Sequence, residues 1–185
     1  GFATLLDSGG GANSSLNWKT DVFSAYGEVR PGISQIRLRQ GNDVTDPSND
    51  VIGTIDYDLS DVSRMAVTID PDTLPTDTQE SVDNVINPQN NYPNDGTLAA
   101  AASGQRYLVL DYTPDDSLWS NVTASANDII EYNGSAWVVV FDASASSGTE
   151  YVTNLYSNVQ FEWTGTFWQN SYEGTYREGW FRLFI

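Results

Sequence analysis

Two glutamates, Glu131 and Glu162, are the residues whose type and placement could support acid–base chemistry. Each occupies the same position of a segment that occurs twice in the chain. Glycosidases use a pair of carboxyl groups as acid and nucleophile or base, at a separation that depends on the stereochemistry of the reaction. Strand alternation, however, places both glutamates on the outer side of their hairpins, where a hydrated carboxylate is the ordinary outcome. Glycoside hydrolysis is therefore the least favoured of three functional hypotheses.

Acidic loops offer a second kind of chemistry, the binding of a hard cation. Asp and Asn concentrate in two loops, with Asp43, Asp46, Asn49 and Asp50 in the first and Asp70 and Asp72 in the second. Oxygen ligands of this kind suit Ca²⁺. Neither loop has the EF-hand pattern, and Asp and Asn are common in loops because they tolerate turn geometry. We predict no metal and no other cofactor, and leave calcium as an open alternative.

Other classes of active site are excluded by composition, because the chain contains no Cys and no His. Disulfides, thiolate zinc sites, cysteine nucleophiles and the Ser-His-Asp triad are all absent. The run Gly9–Gly11 lacks the lysine that follows in a phosphate-binding loop. We therefore predict no catalytic residue and no enzymatic activity.

The charge balance is strongly acidic, with 25 Asp and Glu against 8 Lys and Arg and a net charge of −17. Such a surface repels phosphate backbones and anionic lipid, so neither nucleic acid nor a membrane surface is an expected partner. No apolar run is long enough to span a bilayer, so we expect a soluble chain without a transmembrane segment. The chain begins at Gly1 rather than Met, which indicates a processed product or a piece of a longer protein.

A duplicated hairpin dominates the carboxy-terminal half of the sequence. Residues 127–142 return as residues 158–173 at a constant offset of 31 positions, so that Trp137 recurs as Trp168. A fixed period of this kind usually marks a duplicated structural unit.

The turn residues of the repeat predict which side chains face each other. Asn133-Gly134 between apolar strands is typical of a two-residue type I′ turn, and Thr164-Gly165 is a weaker version. The predicted apolar faces are Ile130, Tyr132, Trp137, Val139 and Phe141 in the first copy, and Phe161, Trp163, Trp168 and Tyr172 in the second. The predicted polar face of the second copy is Gln160, Glu162, Gln169 and Ser171. Burial is worth roughly 25 cal/mol per Å² of apolar area, so the rings are predicted to be core.

These patterns predict a mainly β protein, an antiparallel β-sandwich or small barrel built of hairpins, with one short helix in a linker. The predicted parts are a β-rich amino-terminal part with a flexible start (1–75), a linker (76–104) and a carboxy-terminal antiparallel sheet (105–185). The linker helix is expected over residues 76–87, where apolar residues recur with helical spacing. In the first part, Val51–Tyr57 and Arg64–Ile69 are predicted to pair as a hairpin.

The segments Gly104–Val109 and Ala126–Trp137, followed by the second Gly-x-x-Trp hairpin, resemble modules of tailed-bacteriophage virion proteins. The resemblance covers residues 104–185 and is nearest to tail, baseplate or fibre proteins of T4-like phages, including those that infect cyanobacteria. It implies location in the phage particle and a structural or attachment role without catalysis. It supplies no functional residues to transfer.

Two hypotheses other than catalysis follow. The first is a structural or assembly module that contacts other virion proteins and forms a homo-oligomer through sheet faces and strand edges. The second is a carbohydrate- or receptor-binding module for a host surface glycan, which requires exposed rings beside acidic acceptors. The candidate rings are Trp119, Phe167 and Trp180.

Overall fold

The computed structural model describes residues 2–4, 15, 17–39, 50–114, 117–172 and 181–184. Over these ranges the chain is mainly β, as predicted, with twelve strands in three sheets. The strands are β1 (Phe2–Thr4), β2 (Gln35–Arg39), β3 (Asp50–Tyr57), β4 (Arg64–Ile69), β5 (Asn84–Ile86), β6 (Arg106–Val109), β7 (Ile129–Tyr132), β8 (Trp137–Phe141), β9 (Glu150–Asn154), β10 (Val159–Trp163), β11 (Trp168–Asn170) and β12 (Phe181–Phe184). The chain divides into two compact units, residues 1–74 with 174–185, and residues 75–173.

The first unit is built on a five-stranded antiparallel sheet with the order β1-β4-β3-β2-β12. The predicted hairpin of β3 and β4 is present, and the alternating residues Met65 and Val67 of β4 lie in its core. A wide helical turn (Trp18–Phe23), which continues into a single α-helical turn (Ser24–Tyr26), contributes two rings to the same core. These rings, Trp18 and Phe23, stack with their centroids 5.7 Å apart. The two rings thus pack on the apolar face of the sheet, which has to be buried against another element.

The last strand returns to the first unit. β12 pairs with β2, with Phe181 opposite Leu38 and Phe184 opposite Gln35. The prediction that residues 105–185 form one carboxy-terminal sheet is therefore wrong at its end. Residues 75–173 are an insertion between two strands of the first sheet.

The second unit is sandwich-like, with one sheet of order β5-β6-β7-β8 and one of order β11-β10-β9. Leu108, Ile129 and Phe141 of the four-stranded sheet share a core with Val152 and Trp163 of the three-stranded sheet. The other face of the four-stranded sheet is also covered, by a second apolar cluster that includes Tyr107, Trp119 and Trp137. Because both of its faces are buried, the four-stranded sheet is the middle layer of this unit.

The helix and linker predicted between the two parts are not present. Residues 76–104 belong to the second unit, and residues 78–82 lie along the edge of β9. The amide of Thr78 donates to the carbonyl of Tyr151 at 3.0 Å, and that of Val82 donates to Thr153 at 2.9 Å. Since the edge of β9 satisfies these backbone groups, the helical spacing of the apolar residues is overridden.

One strand pair departs from the expected antiparallel arrangement. β5 runs parallel to β6, with Asn84 opposite Tyr107 and Ile86 opposite Val109. The described connection between them, residues 87–105, contains no helix. The antiparallel prediction holds for the remaining pairs of this unit, β6–β7, β7–β8, β9–β10 and β10–β11.

The two copies of the repeat form the same hairpin, but not with the predicted turn. Gly134 at φ +95° and Gly165 at φ +88° are the first central residues of their turns, as in a type II′ rather than a type I′ turn. Asn133 precedes the turn, and its side-chain oxygen accepts from the amides of Ser135 and Ala136, both at 3.0 Å. Tyr132 therefore faces Trp137 instead of Ser135, the partner that a two-residue Asn133-Gly134 turn gives. Because the register differs by two residues, the faces do not change.

A β-bulge in β8 changes one predicted face. Ile130 lies opposite Val139 but Ile129 lies opposite Phe141, which leaves Val140 as the extra residue. Phe141 is thereby moved from the predicted apolar face to the core between the two sheets, while Val139 packs on the other side. The bulge therefore allows β8 to contribute side chains to the apolar clusters on both faces of its sheet.

We expect Gly165→Ala to destabilise the protein by about 1–3 kcal/mol, because alanine is strained at this positive φ. Its Cβ would also lie 3.2 Å from the carbonyl oxygen of Ser147. Gly134→Ala should cost less, since its nearest neighbour is the movable Oγ of Ser103 at 3.4 Å. Gly148→Ala is the control, because a Cβ there meets nothing within 4 Å. Urea denaturation gives the order, and equal costs at Gly148 and Gly165 would contradict it.

Candidate functional site

The three rings predicted as ligand platforms differ in their surroundings. Trp119 is 0% exposed and contacts Trp137 edge-to-face at 5.1 Å, so the prediction that it presents a ring to ligand is wrong. It is the last residue of a 3₁₀ turn (Ser117–Trp119) that directs the indole into the core. Phe167 is 51% exposed, and Trp180 lies outside the described residues. Phe167 is thus the ring that the structure leaves as a candidate.

Glu131 has a structural partner. It lies opposite Arg106 of β6, whose guanidinium is almost fully buried. Arg106 places Nη1 2.9 Å from Glu80 Oε2 and Nε 3.9 Å from Glu131 Oε2. By alternation with Ile129, Glu131 lies on the side of its sheet that faces the three-stranded sheet. A buried cation needs such compensation, so Glu131 serves the fold.

Glu162 stands at the equivalent position of the second copy but has different neighbours. Its cross-strand partners are Tyr151 of β9 and Gln169 of β11, both uncharged. Phe161 and Trp163 on either side of it point into the core, so Glu162 lies on the outer face of the three-stranded sheet. Glu131 and Glu162 therefore do not face each other, and the carboxylate pair considered for glycoside hydrolysis is not assembled.

The outer face around Glu162 combines rings with polar groups. Phe167 is two positions before Gln169 and lies on the same side of β11. Its amide donates to Thr164 Oγ1 at 3.2 Å, and its carbonyl accepts from the amide of Thr164 at 3.0 Å, which fixes the turn. Tyr151, Glu162, Gln169 and Phe167 are named here the β9–β11 patch.

Two members of the β9–β11 patch, Tyr151 and Glu162, face each other across β9 and β10. Burial raises the pKa of Tyr151, and the carboxylate of Glu162 raises this pKa further. Both effects disfavour the charged phenolate. At ordinary pH the patch therefore presents a neutral phenol beside a carboxylate and an amide.

The rest of the predicted polar face is covered. Gln160 is only 4% exposed, and its side-chain amide donates to the carbonyl of Pro75 and to Asp77 Oδ1, both at 2.7 Å. Ser171 is buried as well. The expectation that all four polar residues face water is therefore wrong for Gln160, which residues 75–77 cover, and for Ser171.

The acidic loops do not assemble a metal centre within the described residues. Asp43, Asp46 and Asn49 lie outside those residues, and Asp50 is buried with its carboxylate 3.6 Å from Arg37. Asp70 accepts from the amide of Asp72 at 3.1 Å and so begins a short 3₁₀ turn. In the described ranges, no three acidic side chains are grouped as metal ligands. Nor does any helix there have the length and apolar character to cross a bilayer.

Sequence reasoning did not single out Tyr151, Leu155 or Tyr156. Tyr151 precedes the second copy of the repeat, and its place beside Glu162 depends on strand pairing. Leu155 and Tyr156 are 54% and 79% exposed in the turn between β9 and β10. Extending the alignment of the two copies toward the amino terminus could have found this pair, because the residues 31 positions earlier are the smaller Ala124 and Ser125.

We expect Trp119→Ala to cost about 3–5 kcal/mol of folding free energy, as removal of a fully buried large ring does. Phe167→Ala should change stability by less than about 0.5 kcal/mol, because its ring is half exposed at a turn. Chemical denaturation followed by fluorescence measures both. A large loss in Phe167→Ala would show that this ring belongs to the core.

We expect Glu162→Gln to lower the pKa of Tyr151 while leaving it above its ordinary value, since burial is the larger cause and persists. The measurement is an ultraviolet titration of tyrosinate, with Tyr151→Phe identifying the transition. Glu131→Gln serves as the control and should leave this transition in place. An unchanged pKa of Tyr151 in Glu162→Gln would contradict the interaction between these two side chains.

Comparisons of the chain with protein-family models, with curated proteins and with solved structures found no match in any of the three.

Proposed function

We propose that the chain is a non-catalytic structural module of a tailed-phage particle, in the tail, baseplate or fibre, that holds neighbouring virion subunits. The resemblance of residues 104–185 to virion modules supports the setting. The observation that carries the contact role is the exposure of Leu155 and Tyr156 in the turn between β9 and β10. Most of the other rings of the repeat are used to build the core.

The turn after β9 holds Leu155 and Tyr156 in a defined position. The amide of Leu155 donates to the carbonyl of Val82 at 2.9 Å, and the amide of Tyr156 donates to Asn154 Oδ1 at 3.0 Å. Asn154 is itself buried. Two large apolar side chains are therefore presented to solvent from a backbone that is held on both sides, which lowers the entropy cost of binding.

The segment that corresponds to this turn, before the first copy, does not present such side chains. Leu155 and Tyr156 correspond at the 31-residue offset to Ala124 and Ser125, and Ala124 is buried in the core. The two segments share the left-handed asparagine with which each copy begins, Asn127 at φ 76° and Asn158 at φ 54°. Leu155 and Tyr156 thus add exposed apolar surface of the kind favoured in interfaces.

Two strand edges of the second unit, those of β8 and β9, are less available for pairing than the sequence predicts. The edge of β9 is already bonded to residues 78–82. The edge strand β8 carries the bulge at Val140, and its Trp137 amide donates to Ser120 Oγ at 3.3 Å. Bulges and covered edges are devices against edge-to-edge association. Side chains of the turns, rather than backbone edges, are accordingly the proposed contacts.

Net charge determines how such contacts respond to salt. Arg64 pairs with Asp58 and Arg106 with Glu80, so these two cations are neutralised within the chain, whose net charge is −17. Two copies repel each other at low ionic strength, and salt screens this repulsion. Contact with a basic neighbouring subunit has the opposite salt dependence.

We expect the full chain to self-associate more strongly at about 1 M salt, where the Debye length is about 3 Å, than at about 0.1 M. The double variant Leu155→Ala, Tyr156→Ser carries the residues found 31 positions earlier and should weaken association roughly 30-fold or more, as loss of a central contact does. Multi-angle light scattering over a concentration series measures both effects.

Leu59→Ala is the matched control, because Leu59 is 97% exposed in the turn between β3 and β4 of the other unit. It should associate like the wild type. A wild-type chain that stays monomeric at every salt concentration, with or without other virion proteins, would contradict the proposal. Equal weakening by Leu59→Ala would contradict the assignment of the contact.

A further inference from the structure

We infer that the β9–β11 patch is a binding site for a neutral saccharide. This inference goes beyond the assembly role and does not depend on it. It concerns the outer sheet face and the turn after β10, whereas the proposed subunit contact lies in the turn after β9.

The patch presents rings on both sides of its polar groups. Tyr151 on β9 and Phe167 before β11 flank Glu162 on the central strand β10. The electron-rich face of an aromatic ring attracts the positively polarised C–H groups of a pyranose. Phe167 is 51% exposed, so its ring is available to a ligand without rearrangement of the fold.

The polar groups of the patch match hydroxyl chemistry. Glu162 supplies a carboxylate that only accepts hydrogen bonds, while the amide of Gln169 both donates and accepts. A sugar hydroxyl can satisfy both kinds of group at once. Three strands span about 10 Å across the sheet, which is about the length of a disaccharide. A few placed polar groups beside apolar surface are the usual composition of a small-ligand site.

The first copy of the repeat provides an internal comparison. The row equivalent to Tyr151, Glu162 and Gln169 is Arg106, Glu131 and Val138, and Ala136 stands in the place of Phe167. There the glutamate faces a buried arginine at 3.9 Å and the other positions are apolar or small. The first hairpin therefore folds without counterparts of Tyr151, Gln169 and Phe167, which leaves these side chains available to a ligand.

Charge narrows the class of ligand. The chain carries a net charge of −17, and Glu162 adds a negative charge within the patch, beside two uncharged cross-strand neighbours. Sialylated, sulfated and uronic-acid saccharides are repelled by such a site. A neutral oligosaccharide of hexoses fits it.

The test uses the full chain with maltohexaose, cellohexaose, laminarihexaose and mannohexaose, and with oligogalacturonate as the acidic probe, followed by calorimetry and saturation-transfer NMR. We expect binding to at least one neutral probe and none to oligogalacturonate. Phe167→Ala, which restores the residue of the first copy, and Glu162→Gln should each weaken binding about tenfold or more.

The double variant Leu155→Ala, Tyr156→Ser is the matched control and should bind saccharide like the wild type while losing the proposed subunit contact. Failure of the two proposals can therefore be told apart. Absence of binding to all four neutral probes would overturn the saccharide site, as would binding only to oligogalacturonate. Binding that survives both Phe167→Ala and Glu162→Gln would overturn it as well.

Discussion

The second unit depends on the ring cluster between its two sheets. Phe141 and Trp168 lie 5.2 Å apart between ring centroids, and Trp163 lies within 5.7 Å of both. The indole N–H of Trp168 donates to the carbonyl of Asn127 at 2.9 Å, which ties the second hairpin to the first residue of the first copy. Apolar burial stabilises the packing of Trp168, and the hydrogen bond fixes the position of its ring. Because this ring cluster packs against the inner face of the three-stranded sheet, it also fixes the position of that sheet's outer face.

Comparison of the two hairpins distinguishes the features that the fold needs from the side chains that are available for binding. Both hairpins begin with a left-handed asparagine and have a positive-φ glycine in the turn. In both, two rings face each other across the strands next to the turn. Their glutamates have different surroundings, since Glu131 faces a buried arginine on the side toward the other sheet, whereas Glu162 faces a tyrosine on the outer face. A site can be placed on the outer face of the second hairpin because the core residues beneath that face maintain the fold.

Sequence patterns predicted the features that depend on local periodicity. The mainly β class and the hairpin of β3 and β4 follow from alternation and turn residues, which act over a few positions. The burial of Trp119 was not predictable, because a single ring in a short turn belongs to no periodic pattern that would show which side is buried. The absence of a helix over residues 76–87 depends on the edge of β9, about 70 residues away in sequence, and local spacing carries no information about that partner.

The insertion of one unit into the other has a consequence for the order of events during synthesis. β2 emerges from the ribosome long before β12, and the whole of the inserted unit separates them in sequence. Residues 75–173 hold all of their own pairing partners, so they can close their sheets while the first sheet still lacks a strand. Closing a loop of that length costs conformational entropy for a flexible chain, and prior folding of residues 75–173 removes much of that flexibility. We therefore expect the inserted unit to fold during synthesis, before the last strand pairs with β2.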